Sequence, residues 1–130
     1  MKNIFIIFCC LLMSIEVAAA EQSPQTYYEI EIKARELTLE GMEKRLECML
    51  AGCSVSEQLA IDERYQEKIM AMHEEYSTTS SQLAAWYTHH ALETENYFLT
   101  SPQLQMRLDE LETSFETLSD KINILLEVRQ

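Results

Sequence analysis

The feature that most constrains this chain is a pair of cysteines five residues apart, Cys48 and Cys53, with Gly52 between them. Five residues of continuous helix rise about 7.5 Å, whereas the Cα atoms of a disulfide lie about 4.4–6.8 Å apart. A bridge between these cysteines therefore requires a helix to end between them. Gly52 can adopt the left-handed conformation that commonly terminates a helix. The pattern predicts a disulfide-locked corner between two antiparallel helices.

The disulfide prediction depends on the compartment, and the N-terminus indicates export. Lys2 precedes an apolar run at 4–13, and small residues follow at the positions that a signal peptidase reads. This pattern predicts a secretory signal peptide over 1–20 and one helical domain over 21–130, periplasmic or secreted. The apolar run rises only about 15 Å as a helix, too little to span a bilayer. Stable membrane insertion of the mature chain is therefore not expected, and an oxidising compartment favours the disulfide.

Residues that form turns are scarce, with two glycines and two prolines in 130 residues. Capping signals stand at a few places only: Ser-Pro at 23–24 and 101–102, and capping boxes at 54–57 and 79–82. They divide the chain into four predicted helices, 24–50, 55–76, 80–99 and 102–128. No long stretch alternates apolar and polar residues as a strand would.

The boundary between the second and third helices has an alternative. The apolar pattern continues in phase across Ser80, so a single helix over 55–99 would also satisfy it. The segment 77–81 consists of serine and threonine, which compete for backbone hydrogen bonds and favour caps. We therefore predict a turn at this segment.

The first and last predicted helices carry heptad patterns, with apolar residues at alternating spacings of four and three. In the last helix the seam is Leu104, Leu108, Leu111, Phe115, Leu118, Ile122 and Leu125. In the first helix it is Tyr28, Ile32, Leu39, Met42, Leu46 and Met49, with Arg35 as its polar member. The apolar face of the last helix is wider than a dimer seam, which favours a bundle. The predicted fold class is all-α, a bundle of about four antiparallel helices. Its wide faces could close within one chain or in a homodimer.

The net charge of the chain restricts the classes of molecule that it can bind. The formal net charge is −12, which repels nucleic acid and anionic lipid and favours a basic protein partner. The last helix has no basic residue between Arg107 and Lys121. Its residues Asp109, Glu112 and Glu116 are our predicted partner-binding residues. The alternative is that they form an ordinary solvated outer face.

A second hypothesis, from a different class, is a periplasmic metal or haem carrier. Its ligands would be Met72, His73, His89 and His90, because thioether and imidazole groups bind Cu(I) and haem iron. The pattern lacks the attachment motif of c-type haem and a complete ligand set. Methionine and aromatic residues at helical spacing are more typical of a packed core. We therefore predict no metal site and no cofactor.

Catalytic signatures are missing from the sequence. It contains no phosphate loop, no nucleophile elbow and no His-Glu-x-x-His zinc motif. We interpret the chain as a non-enzymatic exported protein that acts by protein–protein binding, as an inhibitor, an immunity protein or a chaperone-like protein would. No resemblance to a known family is evident in these residues.

Overall fold

The computed structural model describes residues 22–129 as four helices without a strand. They are α1 (Pro24–Leu50), α2 (Val55–Glu75), α3 (Ser80–Leu99) and α4 (Pro102–Val128). The predicted all-α bundle is confirmed, and the predicted helix bounds agree to within one residue. The predicted signal peptide over 1–20 lies outside the described residues.

Three of the four helix starts carry the predicted side-chain cap, whereas Ser101 makes no side-chain capping hydrogen bond at the start of α4. Ser23 Oγ accepts a hydrogen bond from the Thr26 backbone N–H, and Thr79 Oγ1 does the same for Gln82. Ser54 forms a complete capping box, in which the Glu57 carboxylate also accepts the Ser54 backbone N–H. These bonds satisfy N–H groups that the first helical turn leaves without partners.

Helix α1 is the central element, and α2 and α4 pack along different sides of it. On the α2 side Gly41 allows a close approach, because a Cβ at this position would lie 2.9 Å from the Cγ atom of Tyr65. On the α4 side Leu39 faces a cleft that Leu111 and Phe115 also line. Gly41 and Leu39 are two residues apart and therefore lie on nearly opposite sides of α1. Helices α2 and α4, which pack on these two sides, are separated by α1.

Helix α4 runs parallel to α1, so the predicted antiparallel arrangement of the helices does not hold for this pair. Ion pairs join Arg35 and Glu36 of α1 to Glu112 and Arg107 in the first half of α4. Farther along both helices, the Met49 carbonyl accepts a hydrogen bond from Arg129. Helix α3 makes this arrangement possible, because both of its ends contact the start of α1. Leu83 joins a core cluster with Ile30, and Phe98 packs against Tyr28. The third helix therefore crosses one end of the bundle and carries the chain from α2 to α4.

The predicted corner between α1 and α2 is confirmed. Cys48 and Cys53 form a disulfide with their Cα atoms 5.3 Å apart, and Gly52 has a φ of 80°. The Cys53 N–H donates to the Cys48 carbonyl at 3.0 Å, and the Gly52 N–H donates to the Met49 carbonyl at 3.1 Å. These two bonds are the Schellman motif of a helix C-terminus.

A second corner separates α2 from α3, so the alternative of one helix over 55–99 is wrong. Ser77 takes the left-handed conformation with a φ of 54°. The Thr78 N–H donates to the His73 carbonyl at 3.1 Å, and the Ser77 N–H donates to the Glu74 carbonyl at 2.9 Å. The hydrogen-bond pattern is the same as at the first corner, with serine in the position of glycine.

Helix α3 is kinked at His90, where φ is −124° and ψ is 22°. Thr94, which is fully buried, donates its hydroxyl to the His90 carbonyl at 2.7 Å. A threonine that bonds back to the preceding turn often accompanies a helix bend. This kink was not predicted from the sequence.

Candidate interaction surfaces

A cleft of about 240 Å³ lies between α1 and α4 near the middle of their shared length. Its lining residues are Arg35, Thr38, Leu39, Leu111, Glu112 and Phe115. Phe115 is a member of the heptad seam, yet it is 44% exposed, whereas Leu111 one turn earlier is 4% exposed. The seam is open at Phe115 because α2 packs on another side of α1. We refer to the six lining residues as the central cleft.

Ion pairs join α1 and α4 beside the central cleft. Arg35 Nη1 lies 3.3 Å from Glu112 Oε2, which accounts for the one polar residue in the α1 seam. Arg107 Nη2 lies 2.7 Å from Glu36 Oε1. Arg107 and Glu36 flank the apolar seam as charged pairs do in a parallel coiled coil. Such pairs help to set the register and orientation of the two helices. Both pairs are about half exposed, so their main contribution is alignment rather than stability.

The three predicted partner-binding residues are exposed and lie on one side of α4. Glu112 forms an ion pair with Arg35, which was not predicted because Arg35 lies on a different helix. The polar residue in the α1 seam was the available signal for this pair. Asp109 and Glu116 make no ion pair with any residue in the described part of the chain. Asp109 and Glu116 are thus two carboxylates without an ion-pair partner in the described residues. They lie on the same side of α4 as Glu112, which lines the central cleft.

The proposed metal or haem ligands occupy different environments. Met72 is buried in the core, and His89 is exposed. His73 and His90 each donate Nδ1–H to the backbone carbonyl four residues earlier, at 2.9 and 2.8 Å. His90 also stacks on Trp86 with ring centroids 4.4 Å apart. Within residues 22–129, no three histidine, cysteine, aspartate or glutamate side chains form a group that could hold a metal ion.

An aromatic cluster fastens α3 to the start of α1. Its members are Tyr27, Tyr28, Trp86, Tyr87, Tyr97 and Phe98. The Tyr27 ring stacks on Tyr87 at 5.2 Å and on Trp86 at 5.9 Å between centroids. Burial, together with the nearby carboxylate of Glu31, raises the pKa of Tyr27 to about 12. These contacts pack Trp86 and Tyr87 against the start of α1.

Large apolar side chains are more often exposed than buried in the described residues. Seven are buried, whereas eleven are at least 40% exposed. One group of them lies where α1 and α4 end, around a cleft of about 360 Å³ that Leu46, Leu50, Ile124 and Leu125 line together with Lys121. Val128 lies one turn beyond Ile124 on the same side of α4 and is 79% exposed. We call Leu46, Leu50, Ile124, Leu125 and Val128 the end patch.

Comparisons with protein-family models, with curated proteins and with solved structures give no match for this chain. None of the helices between residues 22 and 129 combines the length and the apolar character that crossing a membrane requires.

Proposed function

We propose that this chain is an exported, non-enzymatic protein that binds a basic protein partner at the central cleft and the acidic side of α4. The observation that carries the proposal is Phe115, a half-exposed aromatic residue in a helical seam, beside the carboxylate of Glu112. Aromatic side chains in pockets commonly provide most of the energy of a protein interface. The net charge of −12 selects a basic partner over an acidic one.

The central cleft suits a cationic amphipathic segment. Leu39 and Leu111 offer an apolar floor, and Phe115 offers a ring face on which an arginine or lysine side chain can pack. Asp109 and Glu116 on the α4 side attract the charged end of such a side chain and steer the approach of the partner. Glu112 already neutralises Arg35, so this arginine does not repel a basic partner strongly.

The test is capture of interacting proteins from the native envelope fraction, followed by affinity measurement with the captured partner. Asp109→Lys combined with Glu116→Lys should weaken binding about tenfold or more, because rim charges govern association. Phe115→Ala should weaken it as well, while circular dichroism confirms that the helices remain.

The matched control is Glu63→Lys combined with Glu67→Lys on α2, which changes the net charge equally at two exposed positions. The control should retain nearly all of the binding. Equal losses in both double variants would mean that only net charge matters, and unchanged binding in the α4 variant would refute the proposed site.

A further inference from the structure

We infer that the end patch is the contact surface between two copies of this chain. The inference concerns a second surface, separate from the proposed site of the basic partner. It does not depend on that partner.

The end patch has the apolar character of an interface core. Leu50 is 68% exposed, Ile124 59% and Val128 79%, and the cleft between α1 and α4 at this end is lined by aliphatic side chains except for Lys121. Contiguous apolar surface of this kind marks interaction sites in soluble proteins. A wide apolar face on α4 therefore remains uncovered by its own chain.

The local charge identifies a second copy as the occupant. Within 43–62 and 120–129, the segments that form this end, there are six acidic and four basic residues. The other described residues hold fourteen acidic and five basic ones. Two chains of net charge −12 repel each other, and this repulsion is weakest where the ends are nearly neutral. A basic partner would gain far more from the acidic side of α4 than from this end.

The end patch is also held in place before binding. The Arg129 guanidinium donates a hydrogen bond to the Met49 carbonyl and ties the end of α4 to the end of α1. The disulfide fixes the end of α1 against the start of α2. Preorganised surfaces lose less conformational entropy on association, which favours contact. In a two-fold symmetric dimer the end patch of one chain would contact the end patch of the other, because such an interface uses the same surface of both chains.

The inference is tested by sedimentation equilibrium of the oxidised protein over a range of concentrations and salt. We expect a monomer–dimer equilibrium that tightens as salt increases, because salt screens the repulsion between two acidic chains. Binding of a basic partner should weaken with salt, so the two interactions respond in opposite directions and can be judged separately.

Variants locate the contact. Ile124→Glu and, separately, Val128→Glu should shift the equilibrium to monomer, because each places a charge in the apolar contact. Met70→Glu is the matched control, since Met70 is 60% exposed on α2 and lies outside the end patch. A chain that stays monomeric at all concentrations and salt levels would overturn the inference. A dimer that all three variants weaken equally, or that salt weakens, would also overturn it.

Discussion

The two corners of the bundle, at 48–54 and 73–79, share one backbone conformation and hydrogen-bond pattern. They differ in the contacts that stabilise this conformation. Each helix ends in a pair of backbone hydrogen bonds around one residue with positive φ. At the first corner this residue is Gly52, and a disulfide links Cys48 and Cys53, which a backbone hydrogen bond also joins. At the second corner it is Ser77, with Thr78 and His73 buried on either side.

The difference shows two ways to stabilise one geometry. In the usual Schellman motif an apolar contact joins the two positions that Cys48 and Cys53 occupy here, and at the first corner the disulfide replaces that contact. At the second corner the left-handed conformation of a residue other than glycine costs about 1–2 kcal/mol. Packing offsets this cost, because His73 and Thr78 are buried and Lys33 lies 4.9 Å above the Tyr76 ring.

The largest effect should come from opening the disulfide. Replacing both Cys48 and Cys53 by serine should lower the free energy of unfolding by about 2 kcal/mol, the chain-entropy value for so short a loop. Urea unfolding followed by circular dichroism measures this change. Reductant should reproduce the loss in the parent protein and have no effect on the double variant. An unchanged midpoint in both experiments would show that the first corner holds without its crosslink.

A smaller effect is expected from Gly52→Ala, about 1 kcal/mol of destabilisation, because an added Cβ disfavours positive φ. No atom lies within 4 Å of the position that this Cβ would take, so steric contact adds nothing to the cost. Gly52→Asn is the control, since asparagine tolerates the left-handed region better. Equal losses in the two variants would show that the backbone conformation is not the cause.

The second corner should respond in the opposite direction. Ser77→Gly removes the cost of positive φ and increases the entropy of the unfolded chain, so a net gain of about 0.5 kcal/mol is expected. Ser77→Ala should change stability little, because alanine and serine share the same backbone preference. The same urea titration measures both variants. A loss of stability in Ser77→Gly would mean that the serine side chain contributes more than its conformation costs.

The corners also show what the sequence could predict. Local signals placed the helix ends, because capping residues act within one turn of the chain, and the spacing of Cys48 and Cys53 required a helix to end. The parallel order of α1 and α4 was not predictable, since a heptad seam reads the same for either direction of its partner. The kink at His90 has no local glycine or proline signal.

The candidate surfaces were predicted only in part. Asp109, Glu112 and Glu116 were identified from the charge pattern of α4, and all three are exposed. The exposure of Phe115 could not be foreseen, because a seam residue looks the same in sequence whether a third helix covers it or not. The pairing of Glu112 with Arg35 depends on the register between two distant helices.

The smallest expected effect is a pH-dependent difference in stability between the two helix starts that follow the corners. At the first, the Glu57 carboxylate accepts hydrogen bonds from the Ser54 N–H at 2.6 Å and from the Ser54 hydroxyl at 2.9 Å. These bonds lower the pKa of Glu57. A lowered pKa in the folded state means that the stabilisation is present at neutral pH and is lost as pH falls through the carboxyl range.

At the second helix start the corresponding residue is Gln82, which does not titrate. Glu57→Gln makes the first start resemble the second, so the variant should lose slightly less stability than the parent protein between neutral and acidic pH. Urea unfolding at both pH values measures this difference. Glu63→Gln, which removes an exposed carboxylate without a capping role, is the matched control. If Glu57→Gln and Glu63→Gln behave alike, the capping box does not distinguish the two helix starts.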